Sequence, residues 1–155
     1  MSEVMISMKG IAKSYGKHRV LEDIDLEINK GDIFGIVGKN GAGKTTMFKI
    51  LLGLSDYQSG VIKIGDHSSE NGKGDLSQAR KKMGFFIGTN FFSYMTAKQN
   101  IDYYRRLKGI DDPEITQCVL KEVGLDEVKT KFGAFSLGMK QRLGIAQALM
   151  GDPEI

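Results

Sequence analysis

The sequence contains a single cysteine, Cys118, among its 155 residues. No internal disulfide can form, and a reducing compartment is the simplest setting for such a chain. We expect Cys118 to be a small core residue rather than a nucleophile, because no histidine lies near it in the sequence. Residues 1–4 lack the basic start and the apolar core of a signal peptide. The sequence therefore predicts a protein that is made and kept inside the cell.

Long apolar segments are also absent. The longest stretch without a charged residue runs from Met83 to Ala97 and is interrupted by glycine, threonine, asparagine and serine. It is shorter than the roughly 20 residues that a helix needs to cross a bilayer. Any connection to a membrane should therefore be made through a partner protein.

Neither sign of charge dominates. The chain has 22 basic and 19 acidic side chains, and a formal net charge of +3. This balance is too even to indicate a nucleic-acid surface, so no nucleic-acid partner is expected. The 41% of hydrophobic and 26% of charged residues are ordinary for a globular protein, and they exclude the disordered and fibrous classes.

One glycine-rich motif stands out at residues 38–46. It reads Gly-Lys-Asn-Gly-Ala-Gly-Lys-Thr-Thr, follows an apolar run at 33–37 and precedes a helix-like segment at 47–52. Strand, glycine-rich turn and helix form the setting in which the pattern G-x-x-x-x-G-K-T indicates a phosphate-binding loop. The alternative is a glycine-rich turn with a surface lysine. The predicted nucleotide-binding residues are Gly38, Asn40, Gly41, Ala42, Gly43, Lys44, Thr45 and Thr46.

Each residue type in this loop has a physical reason. Glycines adopt positive φ and let backbone N–H groups close around phosphate oxygens, and the helix N-terminus adds a partial positive charge. Lys44 is the expected cation for the β- and γ-phosphates. The hydroxyl of Thr45 is the expected ligand for the Mg²⁺ that accompanies the nucleotide.

Alternating apolar positions predict strands before the loop. They occur at Val4, Ile6 and Met8 and again at Ile24, Leu26 and Ile28, which favours an antiparallel pair with one polar face. Residues 33–37 are apolar on both faces and predict a central strand. Residues 60–65 predict a short strand, 67–75 a surface loop, and 83–87 a buried strand.

Helical patterns begin at Thr96. Thr96 and Gln99 form a capping-box pattern, and Asp112-Pro113 is typical of a second helix start. Ser136 is the predicted N-cap of a third helix, and Gly138 in its first turn costs about 1 kcal/mol relative to alanine. A helix start with a serine hydroxyl and no bulky side chain is a second candidate anion site.

These features together resemble the ATP-binding subunit of an ABC transporter. The resemblance rests on Tyr15-Gly16, on the loop at 38–46 and on the Ser-x-Gly-x-Lys-Gln-Arg pattern at 136–142, and it extends from about Val4 to Ile155. Phe-Ser-Leu-Gly-Met at 135–139 stands where this family usually has Leu-Ser-Gly-Gly-Gln. With the Lys-Gln-Arg that follows, it is similar to exporters of the bacitracin-resistance and multidrug type.

The resemblance implies an α/β fold, with a RecA-like P-loop NTPase core, an antiparallel β subdomain and a helical subdomain. The implied divisions are a core at 1–92, a helical subdomain at 93–150, and the start of the Walker B strand at 151–155. ATP and Mg²⁺ are the implied cofactors. The implied location is cytoplasmic, peripheral on the inner face of the cell membrane.

The resemblance also assigns roles to residues that the pattern alone leaves open. Tyr15 looks by itself like a packed turn residue, but in the family the matching aromatic stacks on adenine. Ser136 and Gly138 match residues that reach the γ-phosphate bound to a second copy, in a dimer with ATP between the subunits. The other implied partner is a membrane-spanning transporter subunit.

Two departures from the family pattern limit the expected activity. Gly88-Thr89-Asn90 stands where the family usually has a glutamine after the strand. Residues 152–155 stand where the family begins the strand that carries the aspartate for Mg²⁺ and the glutamate for water, and neither these nor the family's switch histidine is present. His18 and His67 are expected to be ordinary surface residues. We therefore expect a chain that is truncated before the Walker B strand and has little or no ATPase activity alone.

Three functions remain open from the sequence. The first is the ATPase subunit of an exporter, and the second is a nucleotide-binding module that regulates or assembles without hydrolysis. The third is a soluble ABC ATPase that acts on ribosomes or DNA. The loop at 88–95, with Phe91, Phe92 and Tyr94, is expected either to dock on a membrane subunit or to fill the space between core and helical subdomain.

Overall fold

A computed structural model of the chain describes residues 3–88 and 90–155. The chain divides into two compact units, of which the first ends at Lys81 and the second begins at Lys82. The divisions at 92 and 150 that the family resemblance implies concern subdomains of the whole cassette, and they stay predictions.

The first unit is built on a four-stranded antiparallel sheet with the order β2-β1-β3-β4. The strands are β1 (Val4–Tyr15), β2 (His18–Asn29), β3 (Ser59–Ile64) and β4 (His67–Glu70). The predicted alternation is confirmed, since Ile6 lies opposite Ile28, Met8 opposite Leu26, and Ile11 opposite Ile24. The short strand predicted at 60–65 corresponds to β3.

Strand β4 occupies part of the segment predicted to be a loop, and that prediction is wrong for residues 67–70. Ile64 pairs with His67, so Gly65 and Asp66 form a two-residue hairpin turn. Gly65 has a φ of 54°, which is the left-handed conformation that such turns require. The turn brings a polar segment back along β3, where backbone hydrogen bonds rather than apolar side chains form the strand.

Two helices complete the first unit, α1 (Lys44–Leu51) and α2 (Ser77–Lys81). The core combines Met8 and Ile11 of β1, Ile62 and Ile64 of β3, and Ile50 of α1, all of them fully buried. The helix that follows the glycine-rich loop is therefore fixed in the unit by its apolar face.

Residues 33–37 do not form the central strand that their apolar pattern predicts. No described segment pairs with them, and Ile33 and Val37 are fully solvent-exposed. Residues 34–37 border an apolar groove of about 340 Å³ together with Leu21, Ile24 and Leu26 of β2. The prediction fails because a buried parallel strand exists only when neighbouring strands supply its backbone hydrogen bonds.

The second unit is helical. It contains α3 (Ala97–Leu107), α4 (Glu114–Glu122), a 3₁₀ turn (Phe132–Ala134) and α5 (Leu137–Leu149). The capping box is confirmed, because Thr96 and Gln99 exchange hydrogen bonds of 2.9 and 3.2 Å between side chain and backbone. The core of this unit consists of buried apolar residues from all its elements: Phe91, Ala97, Ile101, Val119, Leu120, Leu125, Phe132, Phe135, Leu143, Ala146 and Met150.

The segment 83–87 also lacks strand pairing, so the prediction of a buried strand is wrong. Its neighbour in the structure is the end of the chain, since Gly84 N–H donates to Ile155 O (2.7 Å) and Glu154 N–H donates to Lys82 O (2.9 Å). Phe86 packs against α5 at Gly144, where any Cβ would overlap its ring. Side-chain packing and a few backbone bonds, rather than a sheet, fix this segment.

Cys118 is exposed on α4, which contradicts the predicted core position. The buried residues of this helix are Thr116, Val119 and Leu120. Thr116 is accommodated inside because its hydroxyl donates to Asp102 Oδ1 at 2.6 Å. This polar residue shifts the buried face away from Cys118, and the apolar pattern alone did not reveal it.

Both histidines, His18 and His67, are exposed as predicted. Across the residues that the structure describes, every helix is too short or too polar to cross a bilayer.

Candidate functional site

The glycine-rich loop is held tightly against β2 where α1 begins. Gly43 is the N-cap of α1 with a φ of 85°. A Cβ at this position would lie 2.6 Å from Leu21 Cδ2 and 2.8 Å from the carbonyl oxygen of Val20. Both the backbone angle and the close approach therefore require glycine. Gly41 also adopts positive φ, at 84°, so the expected conformation is confirmed at Gly41 and Gly43 but not at Gly38.

The first turn of α1 presents unpaired donors. Among the described residues, no acceptor bonds the backbone N–H groups of Gly43, Lys44, Thr45 or Thr46, whereas Met47 N–H donates to Gly43 O at 2.9 Å. The same four residues line a cavity of about 240 Å³, together with Val20 and residues 40–42. Free N–H groups at the positive end of a helix form a binding site for an anion.

Lys44 brings a full positive charge to the same loop. Its ammonium donates to the carbonyl oxygens of Gly38 (2.5 Å) and Lys39 (2.7 Å) and so spans the loop from the helix. Thr45 is exposed beside it and offers a hydroxyl oxygen. The donor set of backbone N–H groups, one ammonium and one hydroxyl fits a polyphosphate accompanied by a divalent cation.

The carboxylates that usually complete a magnesium site do not lie in this loop. In residues 3–88 and 90–155, no group of three or more His, Cys, Asp or Glu side chains could hold a metal ion. Thr45 would therefore supply one oxygen ligand to Mg²⁺, and phosphate oxygens and water would supply others.

Tyr15 lies at the end of β1 with 53% of its surface exposed. Its hydroxyl is 3.3 Å from Ser55 Oγ. A packed turn residue, which the local pattern favours, would be buried, and this ring is not. The exposed surface leaves room for a flat ligand, but the adenine contact stays a prediction.

Sequence reasoning missed the group of residues that surrounds Tyr15. Lys13 is buried, its ammonium is 2.5 Å from Asp56 Oδ1, and it lies 4.8 Å from the centroid of the Tyr15 ring. The hydrogen bond from Lys13, together with its charge, lowers the pKa of Asp56 below its usual range. A lysine in a strand of alternating pattern is predicted to be exposed to solvent. The sequence does not reveal that Lys13 is buried, because its partner Asp56 lies 43 positions away.

Arg80 was also missed. Its guanidinium donates to the carbonyl oxygen of Leu51 at 2.8 Å, at the C-terminus of α1. Burial lowers the pKa of Arg80 from its usual value, yet the side chain stays charged because arginine titrates far above neutral pH. A cation at this end of the helix complements its dipole and helps to fix α1.

The second candidate anion site lies in the second unit, at the start of α5. Ser136 Oγ accepts a hydrogen bond from Met139 N–H at 3.3 Å, which confirms the predicted N-cap. A Cβ added at Gly138 would meet no atom within 4 Å, and the φ of Gly138 is not positive. Nothing in the described chain therefore requires glycine at this position.

The aromatic loop divides into a buried and an exposed part. Phe91 belongs to the core, with ring centroids 5.5 Å from Tyr104 and 5.2 Å from Phe132. Tyr94 is 63% exposed, and Phe92 is half-buried between Tyr94 and Tyr103. Thr89, in the segment that replaces the family glutamine, lies outside the described residues.

Comparison with known proteins identifies the family. The sequence profile described as ABC transporter matches residues 21–155, which is most of the chain. The chain belongs to the ABC transporter family. Within this family, bacitracin transport ATP-binding protein BcrA of Enterococcus faecalis is 38% identical over 99% of this chain and 49% of its own length. BcrA of Bacillus licheniformis is also 38% identical, over 97% of this chain and 49% of its own length.

Solved ABC cassettes share the fold. A bacterial ABC transporter cassette, solved as a dimer, superimposes with a TM-score of 0.79 at 29% identity, covering 96% of this chain and 71% of that one. A post-hydrolysis dimer bound to ADP and Pi gives a TM-score of 0.77 at 27% identity, with the same coverage. The predicted α/β P-loop fold is confirmed. The ABC chain described here spans about half the length of the BcrA relatives.

Two glycines of α5 allow a matched test of the contacts around this helix. Gly138→Ala should raise the free energy of unfolding by up to about 1 kcal/mol, because alanine favours the helix and its Cβ meets nothing. Gly144→Ala should lower it, because the Cβ would overlap Phe86. Urea denaturation of both variants measures the two changes, and a destabilising Gly138→Ala would show that the chain itself needs this glycine.

Proposed function

We propose that this chain is the nucleotide-binding part of an ABC transporter ATPase that holds ATP with Mg²⁺ at residues 38–46. The observation that carries the proposal is the set of unpaired N–H groups at the start of α1, with the ammonium of Lys44 across the loop. The family membership makes ATP the expected ligand, and one structural neighbour is described with ADP and Pi.

Each residue of the loop has a distinct task in this proposal. Asn40, Gly41, Ala42 and Gly43 contribute the backbone that surrounds the phosphates, and Lys44 to Thr46 contribute the helix N-terminus. Lys44 exchanges its two neutral carbonyl acceptors for phosphate oxygens, which is favourable because the phosphate oxygens carry the opposite charge to the ammonium. Thr45 would hold the Mg²⁺ through its hydroxyl oxygen, and the ion would supply positive charge beside the phosphates. Tyr15 stacks on the base.

Ser136 and Gly138 act on a nucleotide bound to a second copy of the chain. Support comes from the lack of any internal reason for glycine at 138 and from the capped, exposed start of α5. A helix N-terminus without a side chain at 138 allows close approach of a γ-phosphate. Both structural neighbours described above are dimeric cassettes.

The whole protein would drive export through a membrane-spanning subunit and would lie in the cytoplasm on the inner face of the membrane. The two BcrA relatives are named for bacitracin transport, which supports a transport function, and export as the direction rests on the likeness of residues 135–142 to exporters.

Lys44→Ala should weaken ATP binding roughly 10- to 150-fold, because a charge-assisted hydrogen bond contributes about 1.5–3 kcal/mol. Isothermal titration calorimetry with Mg-ATP measures this change. Lys39→Ala is the matched control, since Lys39 is an exposed lysine of the same loop and contributes only its backbone carbonyl. Equal affinities of Lys44→Ala and the parent would contradict the assignment of the loop.

Hydrolysis requires a general base, and the loop at 38–46 contains no aspartate, glutamate or histidine. A general base typically contributes 10²–10⁴-fold to the rate, and phosphoryl transfer also depends on the placement of metal and water. We propose that carboxylates from further strands of the whole cassette perform these tasks. Residues 1–155 would then bind nucleotide with little turnover.

A purified polypeptide of residues 1–155 should therefore release negligible phosphate from ATP. The same chain extended through the following strands should recover hydrolysis, and Lys44→Ala should abolish it again. Comparable turnover by the short polypeptide, lost in Lys44→Ala, would mean that residues within 1–155 provide the base.

The exposed aromatic surface around Tyr94 is the proposed docking site for the membrane subunit. The Phe92 ring contacts the rings of Tyr94 and Tyr103, and both tyrosines are well exposed. Burial of exposed aromatic side chains is a common source of affinity in protein interfaces. Phe91 is excluded from this role because it belongs to the core.

Site-specific crosslinking tests this surface. Ser93→Cys, in a Cys118→Ser background, should form an adduct with a membrane subunit when a maleimide photocrosslinker is used in native membranes. The control is the parent chain, which presents only the exposed Cys118 of α4. Adducts from Cys118 and none from position 93 would place the docking surface elsewhere.

A further inference from the structure

The last three residues of β1 are each bound by one short segment. This segment, residues 55–58, follows α1 and is called the clamp segment here. Asp56 pairs with Lys13, Gln58 binds the backbone of Ser14, and Ser55 contacts the Tyr15 hydroxyl. Three successive residues of a strand that ends in an exposed aromatic ring are thereby fixed.

Gln58 sets the alignment of the clamp segment against the end of β1. Its side-chain amide accepts from Ser14 N–H at 2.8 Å and donates to Ser14 O at 3.0 Å, and its backbone N–H donates to Ala12 O at 3.0 Å. On the side of β1 opposite to β2, Gln58 makes the backbone hydrogen bonds that a neighbouring strand would otherwise make with Ala12 and Ser14. These bonds fix the backbone of Ser14, the residue before Tyr15, to the clamp segment.

Lys13 acts on the ring itself. Its side chain is 5% exposed, while that of its partner Asp56 is 88% exposed, so the cation is inside and its anchor faces water. At 4.8 Å from the ring centroid, the ammonium lies within the distance of a cation–π interaction. A cation of this kind restrains the ring that it covers, while half of the Tyr15 surface stays exposed.

We propose that Lys13, anchored on Asp56, is a positioning residue that holds the Tyr15 ring ready to stack on the nucleotide base. The inference rests on the proposed function, since it assumes that Tyr15 meets the base. The clamp segment also continues directly from α1, through backbone bonds from Leu54 and Ser55 N–H to Lys49 O of 2.8 and 3.2 Å. The Tyr15 ring, called the base platform here, and the loop at 38–46 are therefore both fixed to α1.

A positioning role predicts a loss that depends on the base. Lys13→Met should weaken binding of Mg-ATP about threefold to thirtyfold, the range expected when a cation–π contact is lost. Binding of inorganic triphosphate with Mg²⁺, which has no base, should change less than twofold. Lys13→Arg should restore ATP affinity, because a guanidinium can keep both the carboxylate and the ring contact.

Four further variants complete the design. Tyr15→Ala should weaken ATP binding about 5- to 150-fold. Adding Lys13→Met to Tyr15→Ala should cause no further loss. Asp56→Asn removes the anchor at an exposed position and should show the same base-dependent loss as Lys13→Met, which covers the case in which Lys13→Met does not fold. Lys9→Met, an exposed lysine of the same strand, is the control and should bind as the parent.

The outcomes separate the inference from the proposed function. If Tyr15→Ala weakens ATP binding but Lys13→Met and Asp56→Asn do not, the role of Lys13 is wrong and that of Tyr15 stands. Equal losses for ATP and triphosphate in these two variants would also overturn the role of Lys13, since the damage would be general. If Tyr15→Ala binds ATP as well as the parent while Lys44→Ala does not, Tyr15 does not contact the base, and the phosphate-binding role of the loop stands.

Discussion

The close approach of Gly43 to β2 is the constraint on which the site depends. Since the loop backbone lies where any Cβ would meet Val20 and Leu21, helix α1 starts at a fixed place on the sheet. Its first N–H groups are consequently held together without acceptors. A preorganised set of donors binds an anion more strongly than a flexible one, because little ordering is required on binding.

The two ends of α1 are fixed by different means, and both serve the same site. The buried face at Ile50 and the guanidinium of Arg80 on Leu51 O hold the C-terminal end. The clamp segment then leads from that end to Tyr15, so one helix connects the phosphate donors with the aromatic platform. A short helix of eight residues would be marginal alone, and tertiary contacts supply its stability.

The parts that could be predicted from the sequence are those whose causes are local. The loop at 38–46, the caps at Thr96 and Ser136 and the alternation in β1 and β2 depend on neighbouring residues, and all were found. The strand predicted at 33–37 is not formed, because a strand needs pairing partners that lie far away in the sequence. Cys118 was misplaced because Thr116 is buried through Asp102, and Lys13 was overlooked because Asp56 lies far along the chain.

Amide hydrogen exchange with and without Mg-ATP tests the central claim most directly. If nucleotide phosphates bind the free N–H groups at the start of α1, exchange in residues 40–46 should slow strongly in the parent, and Lys44→Ala should need a higher ATP concentration for the same protection. Unchanged exchange in residues 40–46 at saturating ATP, or protection that appears only elsewhere in the chain, would contradict the account.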